Sequence, residues 1–200
     1  MLFYPDYNIC EIEFLMSCVP EGGTFVDVGA NVGLYSLPLA VHVGHNGRVL
    51  AIEPGAVSLA RLRVNLVASD AHHVVVAPYA IGERRGESYL HVPSRNVGGA
   101  TVSEVASGEM VGTMPFLEVL EEHGIDGIDG LKVDVEGCED YVVVPLLKAQ
   151  KKDLWPQGIV IEHLHRGEWR ADCLDLLQRN GYEIVGTTQS NTMFRRMRGE

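Results

Sequence analysis

The segment Phe25-Val26-Asp27-Val28-Gly29-Ala30-Asn31-Val32-Gly33 constrains this chain more than any other stretch. An apolar run carries one acid, meets a glycine, and gives way to a helical pattern. That is the order of a buried strand, a tight turn and a helix start. Gly29 lets the backbone turn and approach a ligand closely, because it bears no Cβ. Gly33 permits close packing of the following helix on the sheet. In open α/β sheets, ligands bind in the crevice outside such turns, at the carboxyl ends of the strands. The next apolar run, Val49-Leu50-Ala51-Ile52, ends in Glu53, 20 residues past Gly33. A carboxylate there can accept hydrogen bonds from both hydroxyls of a ribose.

The rest of the chain repeats this alternation of apolar runs and helical patterns, which predicts a mostly parallel sheet wrapped by helices. A lead-in helix is expected within 1–20, over 8–19. Strands are expected at 24–28, 48–52, 74–77, 131–135 and 158–161. Helices are expected from Gly33 to about Val41, kinked by Pro38, and over 54–68, 116–123 and 139–149. Asp172 can cap a further helix that Gly181 ends. Residues 182–186 and 192–196 read as two strands joined by five residues, too few for a crossover helix, so they must run antiparallel. Residues 82–115 break the pattern. Strand-like alternation at 87–92 and 100–105, around Ser94-Arg95-Asn96-Val97-Gly98-Gly99, suggests an inserted hairpin or lid. The expectation is one domain over 1–200, a doubly wound α/β sheet with a C-terminal antiparallel hairpin.

Charge and composition narrow the classes. Formal net charge is −11, which opposes binding to a phosphate backbone, so nucleic acid is not an expected partner. Arg195, Arg196 and Arg198 read as a solvated edge. No apolar run approaches the ~20 residues of a membrane span. The first twenty residues carry Asp6, Glu11 and Glu13 without Lys or Arg, unlike a signal peptide. Cys10, Cys18, Cys138 and Cys173 form no CxxC pair, which fits structural thiols in a reducing, cytoplasmic setting.

The glycine loop distinguishes possible ligands. A nicotinamide dinucleotide site wants G-x-G-x-x-G, with the middle glycine admitting the pyrophosphate. Asn31 stands there instead. S-adenosylmethionine has no phosphate and carries an ammonium group, which Asp27 would suit. The loop, Ile52-Glu53-Pro54, Asn65, Ala80-Ile81-Gly82 and Leu131-Lys132-Val133-Asp134-Val135-Glu136-Gly137-Cys138-Glu139 follow one another over about residues 20–185. Together they resemble the FkbM-type methyltransferase family, and Glu162 fits a later family position. The resemblance implies a class I methyltransferase fold, S-adenosylmethionine as donor, and O-methylation of a sugar, glycan or natural-product hydroxyl. It implies that Asp27, Gly29, Asn31, Gly33 and Glu53 contact the donor, with Ala30, Pro54 and Ala80 in the matching motifs beside them. Asp134 would sit beside the transferring methyl. Phe116-Leu117-Glu118 departs from the family's usual Leu-Asp pair.

An alcohol acceptor must lose its proton during attack, so a base is sought near the fourth strand. Lys132, Asp134 and Glu136 share one face if that strand stays regular to Glu136. Asp134 is the first candidate and Glu136 the second, while Lys132 and Asp134 could instead form a structural pair. His163 could serve as base, since imidazole titrates near neutrality. His163 and His165 with Asp134 or Glu162 could otherwise hold a metal. Tyr89, His91, Arg95 and Asn96 mark the lid, and Trp155 and Trp169 read as packing residues. Two other readings stay open: an NAD-linked oxidoreductase and a non-catalytic cofactor-binding module.

Overall fold

A computed structural model describes residues 8–91, 101–103, 108–149 and 151–197, with backbone alone at 101–103. The apolar runs become strands β1 (Thr24–Val28), β2 (Arg48–Ile52) and β3 (Val74–Ala77), at the bounds their sequences mark. They pair in parallel as β3-β2-β1. Next to β1 lies β8 (Gly130–Val133), then β9 (Gly158–Glu162), both parallel to it. The sheet ends with β11 (Asn191–Arg196) and β10 (Tyr182–Thr187), each antiparallel to its neighbour, giving the order β10-β11-β9-β8-β1-β2-β3.

Alternation along the strands builds two apolar layers. Val26, Val28, Leu50, Ile52, Leu131, Val133, Ile159 and Ile161 pack towards helices α4 (Phe116–Glu122), α5 (Asp140–Lys148) and α6 (Cys173–Arg179). Phe25, Val49, Ala51 and Val160 face α1 (Ile9–Cys18), α2 (Ser36–Val43) and α3 (Ala56–Ala68). Strands buried on both faces are what a parallel sheet covered by helices requires. Asp172 caps α6 as expected, accepting from Leu174 N–H and Asp175 N–H, and Gly181 follows with φ +86°.

Three expectations need correction. The helix after Gly33 begins only at Ser36, so Pro38 stands in its first turn, where no intrahelical N–H bond is lost and no kink is needed. The fourth strand stops at Val133, short of the expected 135. Residues 82–115 hold more than a hairpin. β5 (Gly86–His91) pairs with β6 (Thr101–Ser103) on one side and β7 (Glu109–Met114) on the other. β4 (Ala80–Ile81) joins β7, so a second sheet of four strands forms, ordered β4-β7-β5-β6. The expected tip at 94–99, with Arg95 and Asn96, lies outside the described residues. Among the described residues no helix is long and apolar enough to cross a membrane.

Candidate active site

The carboxyl ends of β1, β2, β8 and β9 open into a cleft of about 760 Å³, within the range of small-molecule sites. Its first wall is made of backbone. The chain leaves β1 at Gly29 with φ +83°, and a Cβ there would stand 1.8 Å from the carbonyl oxygen of Asp134. Only glycine allows the turns after β1 and β8 to approach so closely. Gly29 N–H and Ala30 N–H both donate to Ile52 O at 3.0 Å, and Gly33 N–H donates to Ala30 O at 2.8 Å. Asn31 adopts φ +49°, a left-handed conformation that asparagine tolerates.

Glu53 closes the loop. Its Oε2 accepts from Asn31 N–H at 2.9 Å and its Oε1 from Gly55 N–H at 2.8 Å. Burial raises its pKa, opposed by those two hydrogen bonds. Each carboxylate oxygen can accept a further bond, and Glu53 lines the cleft beside Pro54 and Ala80.

Two residues expected at the donor are not among the groups lining this wall. The alternation of β1 turns Asp27 to the α2 side of the sheet, where it is fully buried. It accepts from Ser36 Oγ at 2.6 Å and lies 3.7 Å from Lys132 Nζ. At Gly33 (φ +97°) a Cβ would meet Leu62 at 2.9 Å and Leu37 at 3.3 Å, so this glycine permits packing against α3 and α2 rather than against the sheet.

The second wall is made of side chains. Lys132, at the buried end of β8, donates to Gly29 O at 2.8 Å and pairs with Asp134 at 3.4 Å. Burial alone would depress its pKa, but Asp134 and Asp27 hold it above the usual lysine value. The structural Lys132–Asp134 pair therefore forms, while Asp134 still faces the cleft.

Glu136 reaches the cleft by another route than expected. The strand has ended, and Glu136 and Gly137 turn with φ +52° and +102°. The common-face expectation thus holds for Lys132 and Asp134 and fails at Glu136. Fully buried Glu139 holds this turn, accepting from Val135 N–H (2.8 Å), Gly137 N–H (3.1 Å) and Trp169 Nε1–H (2.5 Å). Sequence reasoning assigned Glu139 no role: it stands just before α5, but its side chain caps none of that helix's N–H groups and turns back to Val135 and Gly137 instead.

Of the two histidines, His163 turns its Nδ1 to Thr192 Oγ1 on β11 at 3.0 Å and is not among the groups lining the cleft. His165 instead stands between Glu136 (3.2 Å) and Glu162 (3.4 Å). Burial, reinforced by Asp134 and opposed by His165, pushes the Glu136 carboxyl up to about 7. Burial would depress the His165 imidazole, but Glu162 and Glu136 carry it above its ordinary value. Among the described residues no group of three or more His, Cys, Asp or Glu could hold a metal ion.

A five-strand parallel core, an antiparallel end, a glycine turn clasped by the acid of β2, and a cleft over β1 and β8 define the class I methyltransferase type of fold. A model of the methyltransferase FkbM domain matches residues 27–184, and the chain belongs to that family. Among curated relatives, the AMB antimetabolite synthetase AmbE of Pseudomonas aeruginosa is 28% identical over 212 residues, covering 83% of this chain and 10% of that protein. Methyltransferase sdnD of Sordaria araneosa is 27% identical over 203 residues, covering 84% of this chain and 76% of that protein. The chain thus spans a tenth of the first relative and about three quarters of the second. The structure of methyltransferase FkbM from Methylobacillus flagellatus superposes with a TM-score of 0.59 at 19% identity, covering 93% of this chain and half of that one. Fibrillarin of Aeropyrum pernix, with natively bound S-adenosyl-L-methionine, superposes with a TM-score of 0.53 at 14% identity, over 88% of this chain and 67% of that one.

Proposed function

We propose that this methyltransferase carries the methyl group of S-adenosylmethionine to a hydroxyl oxygen of a sugar, glycan or other small-molecule acceptor. The observation that supports this donor best is the use of the loop's amides. Gly29, Ala30, Asn31 and Gly33 all donate their N–H groups inside the protein. A pyrophosphate site depends on such amides pointing outward, so the loop suits a nucleoside without phosphate. Glu53 would hold the ribose hydroxyls, Gly29, Ala30 and Asn31 would form the floor, and Pro54 and Ala80 would flank the nucleoside.

When bound, the donor supplies an electrophilic methyl on a sulfonium with a good leaving group. The chain has to orient the acceptor and remove one proton. Asp134, steadied by Lys132, accepts a hydrogen bond from a neighbouring hydroxyl of the acceptor and so aims the attacking oxygen at the methyl. Glu136 takes the proton as the new O–C bond forms and the C–S pair leaves on sulfur. A carboxyl titrating at about 7 is well matched to that task. Orientation in such a site supplies roughly 7–11 kcal/mol in favourable cases, and a positioned base adds ~10²–10⁴-fold.

Isothermal titration with S-adenosylmethionine and with NAD tests the donor. Release of S-adenosylhomocysteine over a panel of free hexoses, 6-deoxyhexoses, hydroxy acids and phenols tests the acceptor class. NAD binding without sulfonium binding would overturn the proposal. Tight donor binding with no product from any acceptor would favour a cofactor-binding module.

A further inference from the structure

Glu136 and Glu162 approach the cleft from different elements, the turn after β8 and the end of β9, and one imidazole stands between them. His165 Nδ1 lies 3.2 Å from Glu136 Oε2 and 3.4 Å from Glu162 Oε2. An ionised carboxylate can only accept. While Glu136 and Glu162 are both ionised, the nitrogen between them must therefore carry its proton, since a lone pair there would face lone pairs on both sides. The contact thus selects the Nδ1–H form of the ring, whatever the state of Nε2. Glu162 is itself held, because its Oε1 accepts from Leu164 N–H.

We infer that His165 is a positioning residue for methyl transfer: its Nδ1–H pins Glu136 Oε2, leaves Oε1 to take the acceptor's proton, and is kept in register by Glu162. This rests on the methyl-transfer reading above. The need for such a residue is electrostatic. Glu136 faces Asp134 from its own turn, Glu139 from the start of α5 and Glu162 from β9, all acidic. Glu168 adds a further negative charge near His165 from the turn that follows it. The imidazole opposes this crowding at Glu136. During transfer the acceptor's O–H bond breaks towards Glu136 Oε1 while its O–CH₃ bond forms. Glu136 afterwards loses that proton to solvent, and His165 keeps its Nδ1 proton throughout.

The test is the pH profile of kcat/KM for whichever acceptor of the panel is methylated. His165→Gln removes the positive charge, raises the pKa of Glu136, and should move the acidic limb to higher pH. Below the limb the rate should fall about three- to tenfold, the equivalent of half to one pH unit. Adding Glu162→Gln to that variant removes a repelling charge and should move the limb back down. A purely structural role for His165 would lower the rate at every pH without moving the limb, and that result overturns the inference. A second readout needs no acceptor. The His165 imidazole, followed by NMR, should titrate above its ordinary value, and its pKa should fall in Glu136→Gln. An unchanged His165 titration in that variant also overturns the inference. If the titrations are coupled but the wild type methylates nothing in the panel, the methyl-transfer reading fails and the base fails with it, leaving only an ion pair.

Discussion

The two ends of the cleft are built by opposite means. The end proposed for the donor is backbone: the chain turns over the end of β1, and a single carboxylate just after β2 clasps it through Asn31 N–H and Gly55 N–H. The end proposed for the acceptor is side chain: Asp134, Glu136, Glu162 and His165, gathered from the turn after β8, the end of β9 and the turn that follows it, and kept in place by Lys132 and Glu139. Backbone hydrogen bonds leave the first little room to change shape or charge. The second holds like charges close together, so small substitutions change its titration while leaving its shape. A methyl donor is common to many reactions and suits a fixed cradle. An acceptor differs from one enzyme to another and suits a wall whose side chains can be exchanged. The two ends touch where Gly29 faces the carbonyl of Asp134.

That point of contact offers the largest break. Gly29→Ala places a Cβ 1.8 Å from the Asp134 oxygen in a left-handed backbone conformation. It should cost about 3 kcal/mol of stability or more and disturb both ends together, as read by denaturant unfolding. Glu136→Gln should separate the ends. Turnover should fall ~10²–10⁴-fold while donor affinity measured by titration stays as in the wild type. Glu53→Ala should do the reverse and weaken donor binding about 10–100-fold. It removes charge-assisted acceptors and also leaves Asn31 N–H and Gly55 N–H without their partner. Glu53→Gln should lose less.

The smallest effect is on stability. Glu136 carries a folded-state pKa raised from the ordinary 4.5 to about 7. Between those values the folded chain binds more protons than the unfolded one. Stability contributed by Glu136 is therefore present below 4.5 and lost as pH rises through 7. Glu136→Gln should remove that dependence. Relative to the wild type it should gain about 1 kcal/mol between pH 4.5 and 8, solvent screening at the cleft allowed for. Melting curves at several pH values check it. A gain of the opposite sign would show that Glu136 is stabilised as a carboxylate, and the contrast between the two ends would lose its basis.

How far each end could be read from sequence follows the same division. β1, β2 and β3 take the bounds their sequences mark, and along β1 and β2 burial from both sides leaves no polar position after the first residue except Asp27. The turn at Gly29, the acid at Glu53 and the antiparallel ending of the sheet follow from rules that act over a few residues. Those rules do not say which side of the sheet Asp27 faces, or that Gly33 packs on Leu62, since both depend on which helix covers which layer. β7 was missed because Glu109-Met110-Val111-Gly112-Thr113-Met114 shows no clean alternation. It is a strand because β5 and β4 lie beside it.

By itself the sequence determined the layered fold, the glycine turn and the acid that closes it, because these are fixed by backbone sterics and by apolar periodicity along short stretches. Only the tertiary structure decided that His165 rather than His163 meets Glu136, and that Glu139 and Trp169 shape the turn Glu136 stands on. Charges separated along the chain by 26 residues or more, as Glu136 and Glu162 are, acquire their partners and their shifted titration only when two strand ends are packed side by side.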